Sequence, residues 1–308
     1  TPNTQIRTPS DRQAPGLGFT VAHIGALISL SSGSVIDYAI GPLQGKDSGE
    51  QTLLRQLFGS LSEHDILLAD ALHSTWWALH MLSQRGVDVV MPHDGRRKLD
   101  FAQGNTHSST DHLAWWPRPK RAAWMSKEQY AQMPQGMWVR EVQVGGRVLM
   151  TTLLDPCQAS ACEIDALYAM RWNIEVDFRT LKTDMRMEVL RCKSPAMVEK
   201  EIAVYLLTYN LVRWVIVQAA QVAGKPARDV SFTSAQRLIL AFAGYQRQSG
   251  EQEQSTLARV LLQCIARCLL PKRPGRIEPR AKKRRPKPLA LLLVPRCVAR
   301  EQIRARRA

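Results

Sequence analysis

Four side chains in one stretch of this 308-residue sequence have types and spacing suited to chemistry on a polyanion. They are Tyr168, Arg171, Glu175 and Lys182. At about 100° per residue of helix, all four fall within a stripe roughly 60° wide. Leu167, Ile174, Phe178 and Leu181 fall beside them as the stripe that would face a core. A carboxylate can bind a hard divalent cation. Arg grips phosphate with a planar fork and Lys as a point charge. A carboxylate flanked by two cations and a phenol therefore suits phosphoryl transfer. The same residues also fit a solvated helix face with an Arg171–Glu175 pair at i, i+4.

The elements that must hold this stripe can be read around it. The apolar run 18–30 predicts a buried strand, Ser31–Ser34 a turn and 35–40 a second strand, giving a hairpin. Ser48 with Gln51 reads as a capping box opening a helix to about Phe58. Residues 65–69 predict a short buried strand with Asp70 at its C-terminal end, then a helix over 73–85 and a strand over 87–91. From 92 to 154 the chain changes character, and strand-like runs at 112–116, 138–144 and 147–154 predict an antiparallel β insertion. Helices are expected over 164–185, 195–223, 230–244 and 254–270. This order predicts an α/β fold with a ribonuclease-H-like core, split as 15–91 and 155–270 around the β-rich 92–154. A basic tail, 271–308, follows. Such a core opens with a strand carrying a central acid. Nothing before Gly18 qualifies, since Asp11 lies in a polar, Pro-flanked stretch, so the core reads as incomplete, with its first strand missing.

The spacing Tyr-x2-Arg-x3-Glu-x6-Lys resembles the signature of the insertion sequence 4-type DDE transposases. The runs ILLAD ending at Asp70, GPLQGKDSGEQTLLRQL, DMRMEVLRCKSPAMVEKEI and RPGRIEPRAKKRRPKP are also similar to family segments. The resemblance implies a metal-dependent enzyme that cleaves DNA and transfers strands, in which Asp, Asp and Glu hold two Mg²⁺ (or Mn²⁺) ions. Asp70 matches the second acid and Glu175 the third, so both are expected as catalytic and metal-binding residues. Tyr168, Arg171 and Lys182 match residues that contact phosphates at the transposon end, and Trp172 is placed to stack on a displaced base. The family's first Asp belongs upstream of the hairpin, and Asp37, Asp11 and Asp47 do not replace it. The metal is therefore expected to bind only weakly to this N-terminally truncated chain. The partners implied are transposon-end and target DNA and a second subunit on paired ends, with no membrane, in a bacterial cytoplasm at the nucleoid. The alternative is an inactive remnant that binds DNA or interferes with a complete transposase.

Charge agrees with a DNA partner. Residues 271–308 hold 14 Lys and Arg against two acids, +12 of the chain's +15. A tail of this kind is expected to contact the DNA backbone with salt-sensitive affinity, with Arg191, Lys193 and Arg213 extending the surface. Lys46, beside Asp47, reads as part of a solvated loop. The six cysteines form no C-x-x-C pair, so neither a zinc ribbon nor a disulfide framework is indicated, and Cys264 and Cys268 read as small core residues. The seven histidines show no metal-ligand spacing, and no G-x-S-x-G elbow is present. The long apolar run 202–222 carries Asn210, Arg213 and Trp214, which argues for a buried helix rather than a membrane span.

Overall fold

The computed structural model describes residues 6–7, 19–20, 22–42, 49–95, 97–192, 194–246, 250–271 and 294–307. In chain order the strands and helices are β1 (Ile6–Arg7), β2 (Phe19–Thr20), β3 (Ala22–Ile28), β4 (Val35–Pro42), α1 (Glu50–Leu57), β5 (Ile66–Leu68), α2 (Trp76–Ser83), β6 (Asp88–Pro92), β7 (Asn105–Ser108), β8 (Asp111–Pro117), α3 (Lys127–Ala131), β9 (Gly136–Val144), β10 (Arg147–Thr151), α4 (Ala161–Ala169), α5 (Asn173–Arg179), α6 (Pro195–Val222), α7 (Phe232–Gln246), α8 (Glu251–Ala266) and α9 (Arg296–Arg307). The chain divides into two units, Leu54–Glu175 and the remainder, Thr1–Leu53 with Val176–Ala308.

The Leu54–Glu175 unit is built on one mixed six-stranded sheet in the order β5-β6-β10-β9-β8-β7. β5 and β6 are parallel and every other pair is antiparallel. The strands of the β-rich stretch 92–154 therefore join the sheet that begins at Asp70's strand. Val89, Val90 and Met91 are fully buried, as expected of a strand covered on both faces. Val90, Val142 and Leu149 pack against Ile164 and Tyr168 of α4. Trp76 at the start of α2 is sealed and donates its indole N–H to the Trp116 carbonyl at 3.0 Å.

The largest buried polar groups of this unit are paired, as the cost of leaving them bare requires, although Nδ1 of His73 and Nε2 of His93 have no hydrogen-bond partner among the described residues. Arg140 is fully buried and grips Asp111 with two bonds of 2.8 and 2.6 Å. Its remaining fork donates to the Ala159 carbonyl at 2.6 Å, which ties the sheet to the loop leading into α4. The Gln103 carbonyl can only accept, so Nδ1 of His112, 2.6 Å away, carries its proton. Nε2 of His112 meets Glu141, whose other oxygen accepts from the Trp116 indole.

In the other unit the β3–β4 hairpin forms its own two-stranded sheet. α6 covers it, and the Asn210 amide bonds both the N–H and the carbonyl of Val35 at 2.8 Å, as a neighbouring strand would. The core lies along α6, where Ile202, Leu206, Tyr209 and Ile216 meet Phe232 and Ala235 of α7 and Leu261 and Ile265 of α8. Within this core stands a buried carboxylate, Asp177. It accepts from Tyr209 Oη at 3.0 Å, from Arg213 at 2.7 Å and from Arg228 at 2.8 Å to each oxygen. Arg228 also donates to the Ser29 and Leu30 carbonyls, and Tyr209 Oη lies 2.9 Å from the Gly33 carbonyl. Gly33 has φ of 78°, and a Cβ there would stand 2.9 Å from the Arg213 guanidinium, so the turn requires glycine on both counts.

Several expectations are corrected. The single helix expected over 164–185 is instead α4, a 3₁₀ turn at Met170–Trp172, α5 and a π turn at Thr180–Asp184. The 3₁₀ turn is wound more tightly than an α-helix and the π turn more loosely, so an even 100° wheel drifts along this run. Ile6–Arg7, read as part of a loop, pairs with Phe19–Thr20. Arg213, expected on a DNA-facing surface, is only 4% exposed because Asp177 binds it. Cys264 and Cys268 are half-buried rather than sealed. β7, α3 and α9 were not anticipated. Asp11, Lys46, Asp47, Ser48, Lys193 and residues 272–293 of the tail lie outside the described residues.

Replacing Asp177 with Ala leaves two guanidiniums facing each other without their counter-charge. The expected loss is about 3–5 kcal/mol of unfolding free energy, against about 1 kcal/mol for Tyr209→Phe, which removes one hydrogen-bonding group. Urea denaturation followed by tryptophan fluorescence measures both. Equal small losses would show that the ion cluster does not hold the core.

Candidate active site

Asp70 stands just beyond the C-terminal end of β5. Its Oδ1 accepts from Leu72 N at 3.0 Å, and so caps a 3₁₀ turn over Ala71–His73. The capping bond fixes the carboxylate while leaving its side chain 52% exposed. Nε2 of His73 lies 3.8 Å from the same oxygen.

Glu175 arises from α5, with its side chain 46% exposed. Its Oε1 accepts from Arg171 at 3.2 Å, across one turn. The Arg171 guanidinium lies 5.8 Å from the centre of the Tyr168 ring, and that of Arg147, from β10, lies 5.5 Å from it. Arg147 is held by Asp165 of α4 at 3.1 Å. Tyr168 is thus a buried aromatic floor between two guanidiniums, an arrangement that favours the cations through the ring quadrupole.

Burial pushes the Tyr168 phenol above the usual tyrosine range, and the negative charge of Asp70 adds to the rise, while Arg171 and Arg147 oppose it. At neutral pH the phenol therefore keeps its proton. That Asp70 is felt at Tyr168 places it in the same electrostatic neighbourhood as the Tyr168–Arg171–Glu175 chain.

Five of the six residues singled out in the sequence lie in the Leu54–Glu175 unit. Tyr168, Arg171 and Glu175 are joined by direct contacts, but Tyr168 lies in the core of α4 and the sheet rather than on the exposed polar stripe. Trp172 is exposed by 53% on the 3₁₀ turn. Lys182 is exposed on the π turn, beyond the unit's end at Glu175, with its amino group 5.5 Å from the Phe178 ring centre.

Two residues were missed. Arg147 lies in a strand, and no local spacing connects it to the helix. Asp177 did leave a signal. It falls about 200° round the helix from Glu175, near the apolar stripe, and an acid there needs a buried partner.

The donor set fits a hard divalent cation in part. Asp70 and Glu175 each present a half-exposed carboxylate with one oxygen engaged by nitrogen donors, and carboxylate oxygens are the ligands such cations prefer. They are two ligand groups, and a site with two ions needs more.

The raised pKa of Tyr168 gives a signed prediction. Tyrosines in the unfolded chain ionise near pH 10, before the folded Tyr168 does. Its contribution to stability is full below that pH and is lost as pH rises through the folded value. Denaturation midpoints measured from pH 8 to 11 should fall at the alkaline end, and less steeply in Tyr168→Phe. Identical slopes would show that the phenol is not held neutral by the fold.

The family described as Transposase DDE domain matches residues 3–211. The Transposase InsG for insertion sequence element IS4 of Escherichia coli (strain K12) is 30% identical over 141 residues, which are 45% of this chain and 32% of that protein. The chain thus spans about a third of the length of this curated relative. With the match extending over most of the chain and through the helix of Glu175, the chain belongs to the family of transposase DDE domains.

Proposed function

We propose that this chain is the catalytic portion of an insertion-sequence transposase that cuts and joins DNA, with Asp70 and Glu175 as two of its three metal-binding acids. The observation that carries the reading is the placement of Asp70 at the end of β5 together with the Tyr168–Arg171–Glu175 chain in the same unit. Divalent metal, Mg²⁺ or Mn²⁺, would supply Lewis-acid activation of the attacking and leaving oxygens when bound.

The chain's own residues then have separable tasks. Asp70 and Glu175 hold the ions. Arg171 uses part of its fork on Glu175 and offers its other N–H groups to a DNA phosphate. Tyr168 keeps that guanidinium in place by packing under it. Lys182 adds a second phosphate contact, and Trp172 offers an exposed ring to an unpaired base. Residues 271–308 add salt-sensitive contact with the DNA backbone. Transposon ends and target DNA are the substrates, in a bacterial cytoplasm at the nucleoid.

One observation favours a second reading. β5 is the end strand of its sheet, and β3 and β4 pair only with each other, so among the described residues no strand with a central acid is paired beside β5. In the proposal the third acid comes from outside the described residues. In the second reading none completes the set, and the chain binds DNA or interferes with a complete transposase.

The test is cleavage of a transposon-end duplex in Mg²⁺ by the chain extended with its upstream coding sequence. Cleavage is expected, with a loss of about 1,000-fold or more in Glu175→Gln, since a metal ligand contributes several kcal/mol to the barrier. Binding without cleavage, and inhibition of a complete transposase by the chain, would establish the second reading.

DNA binding by the chain itself gives an independent check. Affinity should fall steeply with salt. Arg171→Ala should lower the slope of log affinity against log salt by about one, and removal of 271–308 by several. Fluorescence anisotropy with a labelled duplex measures this, and slopes unchanged in both variants would remove these residues from the interface.

A further inference from the structure

Arg147 enters the site from β10, far in sequence from Arg171, and a built frame presents it. Gly145 and Gly146, with φ of 58° and 77°, form the two-residue turn between β9 and β10, and Arg147 pairs with Val144 across it. Asp165 of α4 closes the frame. A Cβ on Gly145 would stand 2.7 Å from the Asp165 carboxylate, so the bare turn leaves that carboxylate its place. Asp165 in turn draws the Nε edge of Arg147 to 3.1 Å. The Arg147 side chain is 40% exposed, and among the described residues its guanidinium donates no hydrogen bond.

Arg171 is held in a matching way. Glu175 takes one of its terminal nitrogens at 3.2 Å, and the rest of its fork is unused. The two guanidiniums lie 5.5 and 5.8 Å from the centre of the same Tyr168 ring. Two cations from different elements therefore converge on one phenol, each steadied by an acid and each with N–H groups to spare. A guanidinium has five such groups, and one edge of it matches two phosphate oxygens. The carboxylates of Asp70 and Glu175 repel an approaching DNA backbone, and cations beside them offset that repulsion.

We propose that Arg147 is a phosphate-binding residue of this site, taking a phosphate of the same strand that Arg171 contacts, with Asp165 as its positioning residue. A strand offers a charge about every 3.4 Å along its axis, so one strand passing Tyr168 reaches both guanidiniums. The fork sets the path of the strand as well as attracting it, because two parallel N–H bonds impose an orientation that a point charge does not. The inference rests on the DNA reading above and adds to it a contact that no local spacing in the sequence marks.

The test is a coupling measurement. The full chain binds a labelled transposon-end duplex in EDTA, so that no cleavage intervenes, and single phosphates are replaced in turn by uncharged methylphosphonate. Fluorescence anisotropy gives each affinity. In the parent, one such replacement should weaken binding about tenfold or more, as expected for the loss of charge-assisted hydrogen bonds. In Arg147→Ala that same replacement should cost nothing further, while replacements elsewhere keep their cost. A neighbouring phosphate should couple to Arg171→Ala in the same way. An Arg147 that served only as an ion pair with Asp165 would lower affinity by one factor at every position and couple to none. Arg147→Ala should melt with the parent, since an exposed ion pair contributes little to stability. If it melts lower, Arg147→Gln, which can still donate to Asp165, takes its place. Losses in the Arg147 variant that multiply independently at every phosphate overturn the inference, and coupling retained by Arg171→Ala then leaves the DNA reading standing. A parent indifferent to every methylphosphonate overturns both.

Discussion

One buried carboxylate, shared by one buried and one partly buried guanidinium, holds together four stretches of this chain that are far apart in sequence. Asp177 brings in Tyr209 and Arg213 from α6 and Arg228 from the turn before α7; Tyr209 reaches the hairpin turn at Gly33, and Arg228 reaches it at Ser29 and Leu30. Two cations on one anion leave a net positive charge in a largely buried place. Bare, that charge would cost several kcal/mol. The Ser29 and Leu30 carbonyls partly offset it by accepting from Arg228, which obliges the hairpin turn to stay where its carbonyls point. The apolar packing of α6, α7 and α8 supplies the driving force, but it has no direction of its own. The ion cluster supplies direction.

The short helix α5 carries both Asp177 and the candidate site residue Glu175. Asp177 and Glu175 are two residues apart, and thus about 200° apart around its axis. One is sealed among donors and the other opens to solvent. Asp177 and Glu175 therefore do opposite work from one turn of helix. At the other end, Arg140 ties the sheet to the loop before α4, and so fixes the start of the same helical run. Arg171 needs only one turn of helix to reach Glu175.

How much of this was legible in sequence varies with the range of the interactions. The hairpin, the strand ending at Asp70 and helix α6 were readable because each depends on local pattern, an apolar run bounded by turn or breaker residues. The spacing Tyr168–Arg171–Glu175 was readable for the same reason, and the structure joins those three. The burial of Tyr168 was not, because it depends on β10 and on Arg147, which lie some twenty residues away and carry no marking. Arg213 was placed on the surface because a lone Arg in an apolar helix usually reaches for water. Its partner, Asp177, makes the opposite choice economical. The 3₁₀ and π turns left no sign in composition, since each is a difference of one hydrogen-bond register.

The measurement that tests the central claim most directly is iron-mediated cleavage of the protein's own backbone. Ferrous iron occupying a magnesium site generates hydroxyl radicals that cut the main chain close to the ligands. In the presence of end DNA, the account predicts cuts near Asp70 and near Glu175, both suppressed by excess Mg²⁺ and both lost in Asp70→Ala. Cuts confined to other segments, or cuts at these two that excess Mg²⁺ leaves unchanged, would contradict the assignment of these carboxylates to a common metal-binding site.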